Sequence, residues 1–296
     1  MNKHKFYVTI GLLTSMYSCS EMKQGNEQRP SNQPDSVTIN VTVDTSANEL
    51  KFATEKISLK QVNKGAETNI EIDYPISGKK ELISSIYAYL NDDIKNYYET
   101  TEMDDPIKKY EGDFEDKGAF LKHYTFEIQK FLKSWNNADE SVGNYYADDI
   151  LTKEYETEKF VSYVHKHTIY TGGAHGLSYE IGTTFWKENG KKFSWDLMKN
   201  TDSDEFRKVL KEGMRKYFEE VEEEKINDEE LDNHFFNGDA SNLPLPKNQP
   251  YFTDKGIEIG YNRYEVTGYA LGSPKFTLSY SDAKKFLKEE AIEMLK

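Results

Sequence analysis

Phe160-Val161-Ser162-Tyr163-Val164-His165-Lys166-His167-Thr168-Ile169-Tyr170, then Thr171-Gly172-Gly173-Ala174-His175-Gly176, then Leu177-Ser178-Tyr179-Glu180-Ile181-Gly182-Thr183-Thr184-Phe185, is the run on which the architecture turns. Val161, Tyr163, His165, His167 and Ile169 share one face of an extended chain, and Phe160, Ser162, Val164 and Lys166 share the other. Leu177, Tyr179, Ile181, Thr183 and Phe185 repeat that period of two. Between them stand three glycines within residues 172–176, and glycine alone reaches positive φ cheaply. The run therefore predicts two antiparallel strands joined by a hairpin or a wider loop.

Upstream, Ile57 and Leu59, then Ile70, Ile72 and Tyr74, alternate with polar residues and predict two more strands. Leu82, Ile83, Ile86, Tyr87, Leu90, Ile94 and Tyr97 recur at helical spacing, predicting an amphipathic helix over 79–99. A second helix is expected over 117–136. Downstream, a turn at 188–190 precedes short helices, the longest near 203–224. Strand character follows at 250–253, 257–261 and 275–280, and Ser281 is read as the cap of a last helix to residue 296. Strands and helices segregate rather than alternate. The expected class is α+β: an antiparallel sheet with packed helices, in two consecutive subdomains, 54–176 and 177–296.

The N-terminus carries an address. Lys3 and Lys5 precede an apolar run at 6–13 that is too short to span a bilayer. Ser18-Cys19 follows, and Cys19 is the only cysteine of the chain. This arrangement resembles the bacterial lipobox, with Met16 and Tyr17 departing from its commoner pattern. The resemblance implies a lipoprotein signal peptide over 1–18 and lipidation at Cys19. It also implies an extracytoplasmic place in the bacterial cell envelope, on the outer membrane or the periplasmic face. Residues 19–53 are rich in Asn, Gln, Ser and Pro and read as a flexible tether, apart from the alternating Val37, Ile39, Val41 and Val43.

The chain has 296 residues and a net charge of −14, which excludes the basic footprint that nucleic-acid binding needs. It favours cationic partners or plain solubility. Residues 219–232 hold nine acids against one lysine, a pattern that fits a solvated surface or an acidic face for a cationic partner. Tyrosines (21) outnumber phenylalanines (16), as suits half-exposed sheets and binding faces.

Thr68-Asn69-Ile70-Glu71-Ile72-Asp73-Tyr74-Pro75, Tyr170-Thr171-Gly172-Gly173-Ala174-His175-Gly176, Phe252-Thr253-Asp254-Lys255-Gly256 and Tyr264-Glu265-Val266-Thr267-Gly268-Tyr269-Ala270-Leu271-Gly272 together resemble a known pattern. It is that of the paired extracytoplasmic domains of unknown function in PdaC-type peptidoglycan deacetylases and RsiV-type lysozyme-binding anti-sigma factors. The resemblance spans nearly the whole expected folded part. It implies the binding half of those proteins without the deacetylase chemistry or the anti-sigma output. It also implies a peptidoglycan-related glycan or a lysozyme-like protein as partner, besides the membrane reached through Cys19.

Candidate ligand-binding residues are Tyr170, Thr171, Gly172, Gly173, His175 and Gly176 in the glycine run, with Tyr261, Tyr264, Glu265 and Tyr269 in the C-terminal motif. Tight-turn amides can cradle an anion or hydroxyl, and tyrosines can stack on sugar rings. The alternative is that the glycines only shape the turn and some tyrosines only pack. His165, His167 and His175 invite a metal reading, but no carboxylate stands at a recognisable ligand spacing, so no metal and no cofactor are expected. No nucleophile elbow is present. The leading expectation is a non-catalytic binding module. The alternative is an envelope enzyme acting on cell-wall glycan, with His175 and a carboxylate such as Glu265 as its acid–base pair.

Overall fold

The computed structural model describes residues 39–40, 52–63, 66–99, 107–134, 145–170 and 172–296, all within one compact unit covering 35–296. A six-stranded sheet comprises β1 (Ile39–Asn40), β2 (Ala53–Asn63), β3 (Ala66–Ser77), β4 (Tyr145–Glu156), β5 (Phe160–Tyr170) and β6 (Leu177–Trp186), in chain order across the sheet. Between β3 and β4 run helices α1 (Lys80–Glu99) and α2 (Lys117–Ser134). Both helices lie where the apolar spacing places them, because their stripes of Leu82, Ile86, Leu90, Ile94, Phe120, Tyr124 and Ile128 are buried on the sheet with Ile57, Ile70, Ile72 and Tyr74.

Neighbouring strands pair antiparallel except β3 and β4, which are parallel. The expected α+β class with an antiparallel sheet holds, with one parallel pair inside it: the long helical excursion supplies the crossover that this pair requires. The tether is corrected. Ile39 and Asn40 pair with Ile57 and Lys56 on β2, and Phe52 is buried, so residues 19–53 are not uniformly a tether. Cys19 and the signal segment lie outside the described residues.

The second sheet holds β7 (Tyr251–Phe252), β8 (Gly256–Gly260) and β9 (Lys275–Ser279), in that order. Around it are α3 (Asp204–Glu222), α4 (Asp228–Asn233), α5 (Tyr280–Ala283) and α6 (Glu289–Leu295). Ser203 caps α3 by accepting from the Phe206 amide. The C-terminal end differs from expectation: Ser279, not Ser281, caps the one-turn α5. Leu287 and Lys288 are extended, so the last helix begins anew at Glu289.

The expected boundary at 176/177 falls inside the first sheet. β5 and β6 pair from Phe160↔Trp186 to Ile169↔Leu177, so the first sheet ends near residue 186. The pleat explains how the two sheets join. Val161 and Tyr163 enter the core beneath α1 and α2, whereas Phe160 enters the core of the second sheet with Phe193, Phe206, Phe252 and Phe286. The Phe252 amide donates to Thr184 Oγ1 of β6 at 2.8 Å, and Ser162 bonds the same hydroxyl at 2.7 Å. Among the described residues, no helix is long and apolar enough to cross a membrane.

Candidate functional site

The glycine loop leaves the sheet after Ile169 and re-enters it at Leu177. Gly172 and Gly173 hold φ of +96° and +92°, a region closed to most side chains. A Cβ on Gly176 would stand 2.8 Å from the Ile169 carbonyl oxygen, so that position also requires glycine. The Tyr170 hydroxyl donates to the Gly173 carbonyl at 3.1 Å while its ring stacks on Tyr146. His175 Nδ1 donates to the Gly176 carbonyl at 3.1 Å, leaving the exposed ring face free to stack. Thr171 lies outside the described residues.

The C-terminal motif folds onto this loop across 93 positions of sequence. The Tyr269 hydroxyl donates to the same Gly176 carbonyl at 2.5 Å. The Tyr269 ring lies against His175 with centroids 3.5 Å apart and planes 18° from parallel. The Arg263 guanidinium sits 4.5 Å from the Tyr269 centroid, within cation–π range, and Tyr264 lies 5.7 Å from Tyr269. Tyr264 has φ of +61° and is 54% exposed. A bulky side chain in left-handed backbone is strained, and here the strain presents an aromatic ring to solvent.

Two expected site residues do other work. Tyr261 is buried and donates to the Pro244 carbonyl at 2.7 Å. Burial, with Glu265 nearby, holds its phenol well above the usual range. Glu265 braces a turn: its two carboxylate oxygens accept from the amides of Lys247 at 2.7 Å and Asn262 at 2.9 Å. Glu265 is therefore a brace rather than an open ligand contact, whereas Tyr261 packs inward while bordering the neighbouring cleft. Periodicity marks a tyrosine as facing one side but does not say which side is core.

Beside the stack opens a cleft of about 350 Å³ between the outer face of β5–β6 and the second sheet. Lys166, Thr168, Ser178, Glu180 and Gly182 line one wall; Tyr217, Tyr251, Tyr261, Arg263 and Lys275 line the other. Arg263 thus belongs to both the cleft and the stack. A Cβ on Gly182 would meet the Tyr251 ring at 2.1 Å, so this glycine lets the ring lie on the strand. Lys275 spans the cleft wall to Glu180 at 2.6 Å and reaches Glu258 at 3.4 Å. Burial opposes its charge, but these two carboxylates prevail and raise its pKa.

On the opposite face of the same strands lies a second polar cluster. Asp149 of β4 is directly across from His167 in the strand register and is 0% exposed. One of its oxygens contacts His165 Nε2 at hydrogen-bond range, and the same oxygen is 3.6 Å from His167 Nδ1. From α1, Asp93 Oδ2 stands 3.4 Å from His165 Nδ1. Burial alone would keep His165 neutral, yet Asp149 and then Asp93 override it and raise its pKa. For His167 burial wins and lowers it. Burial pushes Asp149 upward, but the two imidazoles outweigh it and hold the carboxyl low. His175 belongs to the other site. The sequence does carry a local signal for this cluster: Asp149 falls in phase with the buried Ala147 and Leu151, an apolar position occupied by an acid.

Residues 196–281 match the family model described as "Protein of unknown function (DUF3298)". That span begins at the helical part of the second half and contains Arg263, Tyr264 and Tyr269. No curated protein matches the chain. Two solved structures share the fold. A DUF3298-family protein of Bacteroides fragilis has 17% identity and a TM-score of 0.54, covering 83% of this chain and 97% of its own. A DUF3298-family protein of Pseudomonas aeruginosa PAO1 has 12% identity and a TM-score of 0.55, covering 82% and 96%.

Proposed function

We propose that this chain is a lipid-anchored protein of the bacterial cell envelope that binds a peptidoglycan-related glycan without cleaving it. The observation that carries the reading is the His175–Tyr269–Arg263 stack opening onto a tyrosine-lined cleft. A cleft of about 350 Å³ is within the size range of small-ligand sites, and aromatic faces beside a few fixed polar groups suit sugar rings. The lipobox-like Ser18-Cys19 and the resemblance to PdaC- and RsiV-type domains support the envelope setting.

Two observations weigh against the other readings. The carboxylate oxygens of Glu265 are committed to backbone amides, which suits a brace better than a general base. Part of the acidic run is paired locally: Glu219 with Lys225, and Asp228 with Lys211 and Arg215. That leaves less free charge to attract a cationic lysozyme.

Calorimetric titration of the chain with an oligomer of N-acetylglucosamine and N-acetylmuramic acid tests the reading, with a cationic lysozyme titrated in parallel at low and high salt. The expected result is saturable glycan binding, weakened about tenfold or more in Tyr264→Ala and in His175→Ala, about 1.4 kcal/mol or above, with melting unchanged. Equal affinity in both variants would overturn the site. Flat glycan heat with salt-sensitive lysozyme binding would replace the glycan by the protein partner, and cleaved glycan would restore the enzyme reading.

A further inference from the structure

We propose that Asp149, His165 and His167 form a binding site for one divalent first-row transition ion of the zinc class, with Asp93 orienting His165 from behind. Position and an unsatisfied buried carboxylate oxygen each point to it.

The three side chains each offer one ligand atom, and these atoms lie within 4.8 Å of one another. Ligands around a tetrahedral zinc at about 2.0–2.1 Å stand roughly 3.3 Å apart, so small side-chain rotations admit the ion. The backbone sets this convergence. His165 and His167 alternate on one face of β5, and Asp149 is the register partner of His167 on β4. No loop motion is needed to assemble the set.

The arrangement behind His165 is the one metal-bound imidazoles use. With Nε2 turned toward Asp149, the other ring nitrogen faces the Asp93 carboxylate at 3.4 Å. A carboxylate on the distal nitrogen fixes the tautomer and raises ligand basicity. Tyr179 of β6 stacks on His167 with centroids 4.7 Å apart and holds that ring in plane.

At the cluster, the buried Asp149 Oδ2 has no hydrogen-bond partner among the described residues. A fully buried carboxylate oxygen without a donor is costly, and such atoms in folded proteins call for a water or an ion. Imidazole with carboxylate oxygen, and no sulfur, suits zinc and its neighbours rather than calcium or magnesium.

The site would tie β4 to β5 on the face behind the glycan cleft. It shares no ligand atom with the His175–Tyr269 stack, although His167 and Tyr179 also border the cleft.

The test uses the full chain carrying Cys19→Ser, so that the thiol does not compete, stripped with a chelator and dialysed against zinc. One zinc per chain and a rise in melting temperature are expected. His167→Ala and Asp149→Asn should each weaken zinc at least tenfold, while His123→Ala, His175→Ala and His234→Ala leave it unchanged. Should the buried variants not fold, imidazole nitrogen resonances of the unsubstituted histidines decide: the His165 and His167 signals must move on addition of one equivalent of zinc. A folded chain that takes up no zinc would overturn the proposal. So would uptake that persists in folded His167→Ala, or zinc that moves only the signals of other histidines.

Discussion

Gly182 shows how one missing methyl shapes the cleft. The Tyr251 ring occupies the space a Cβ would need, so even alanine must push the ring or the strand aside. Gly182→Ala is expected to lower stability by about 1–3 kcal/mol, the usual cost of overpacking, read as a fall in denaturant midpoint at constant slope. A variant as stable as the parent would mean that the ring is not seated against β6. Gly172, Gly173 and His175 are legible in the sequence as a turn with an exposed imidazole, because paired glycines between two alternating strands signal backbone at positive φ. Tyr261 and Glu265 are not. Nothing local distinguishes a tyrosine donating to the Pro244 carbonyl from one facing solvent, or a carboxylate bracing Asn262 from one awaiting a ligand.

Among elements, α1, α2, α3 and the β5–β6 pair are readable because each carries a long, regular apolar period. Three features are not. The parallel pairing of β3 with β4 depends on where the chain returns after two helices. The Asp149–His165 contact depends on cross-strand register, which alternation alone leaves open. The end of the first sheet lies beyond the glycines that suggest it, since a loop and a linker have the same composition. The ladder from Phe160↔Trp186 to Ile169↔Leu177 is visible only once the strands are paired. Lys275 of β9 makes an element-level prediction. Its pKa is raised from 10.5 by Glu180 and Glu258 despite burial. A raised pKa in a cation means that the pairing stabilises the fold fully below about pH 10.5 and loses that contribution as pH climbs through the higher native value. The stability gap between the parent and Lys275→Ala should therefore stay constant up to about pH 9 and shrink above about 10.5. A gap that grows with pH would contradict the pairing.

Across the molecule, the two sheets are joined through β5 and β6, whose inner faces pack under the helices and whose outer faces pack on Phe252 and Phe193. That junction brings two distant motifs together. The glycine loop hangs from the end of the first sheet, while Arg263, Tyr264 and Tyr269 come from the segment between β8 and β9. They meet at the Gly176 carbonyl, which accepts from both His175 and Tyr269. One surface built from two motifs is the central claim, and amide hydrogen exchange tests it directly. On addition of the N-acetylglucosamine–N-acetylmuramic acid oligomer, amides of 172–176 and of 263–272 should slow together, with their protection falling in parallel when Tyr264 is replaced by alanine. Protection confined to one of the two segments, or to neither, would contradict the account.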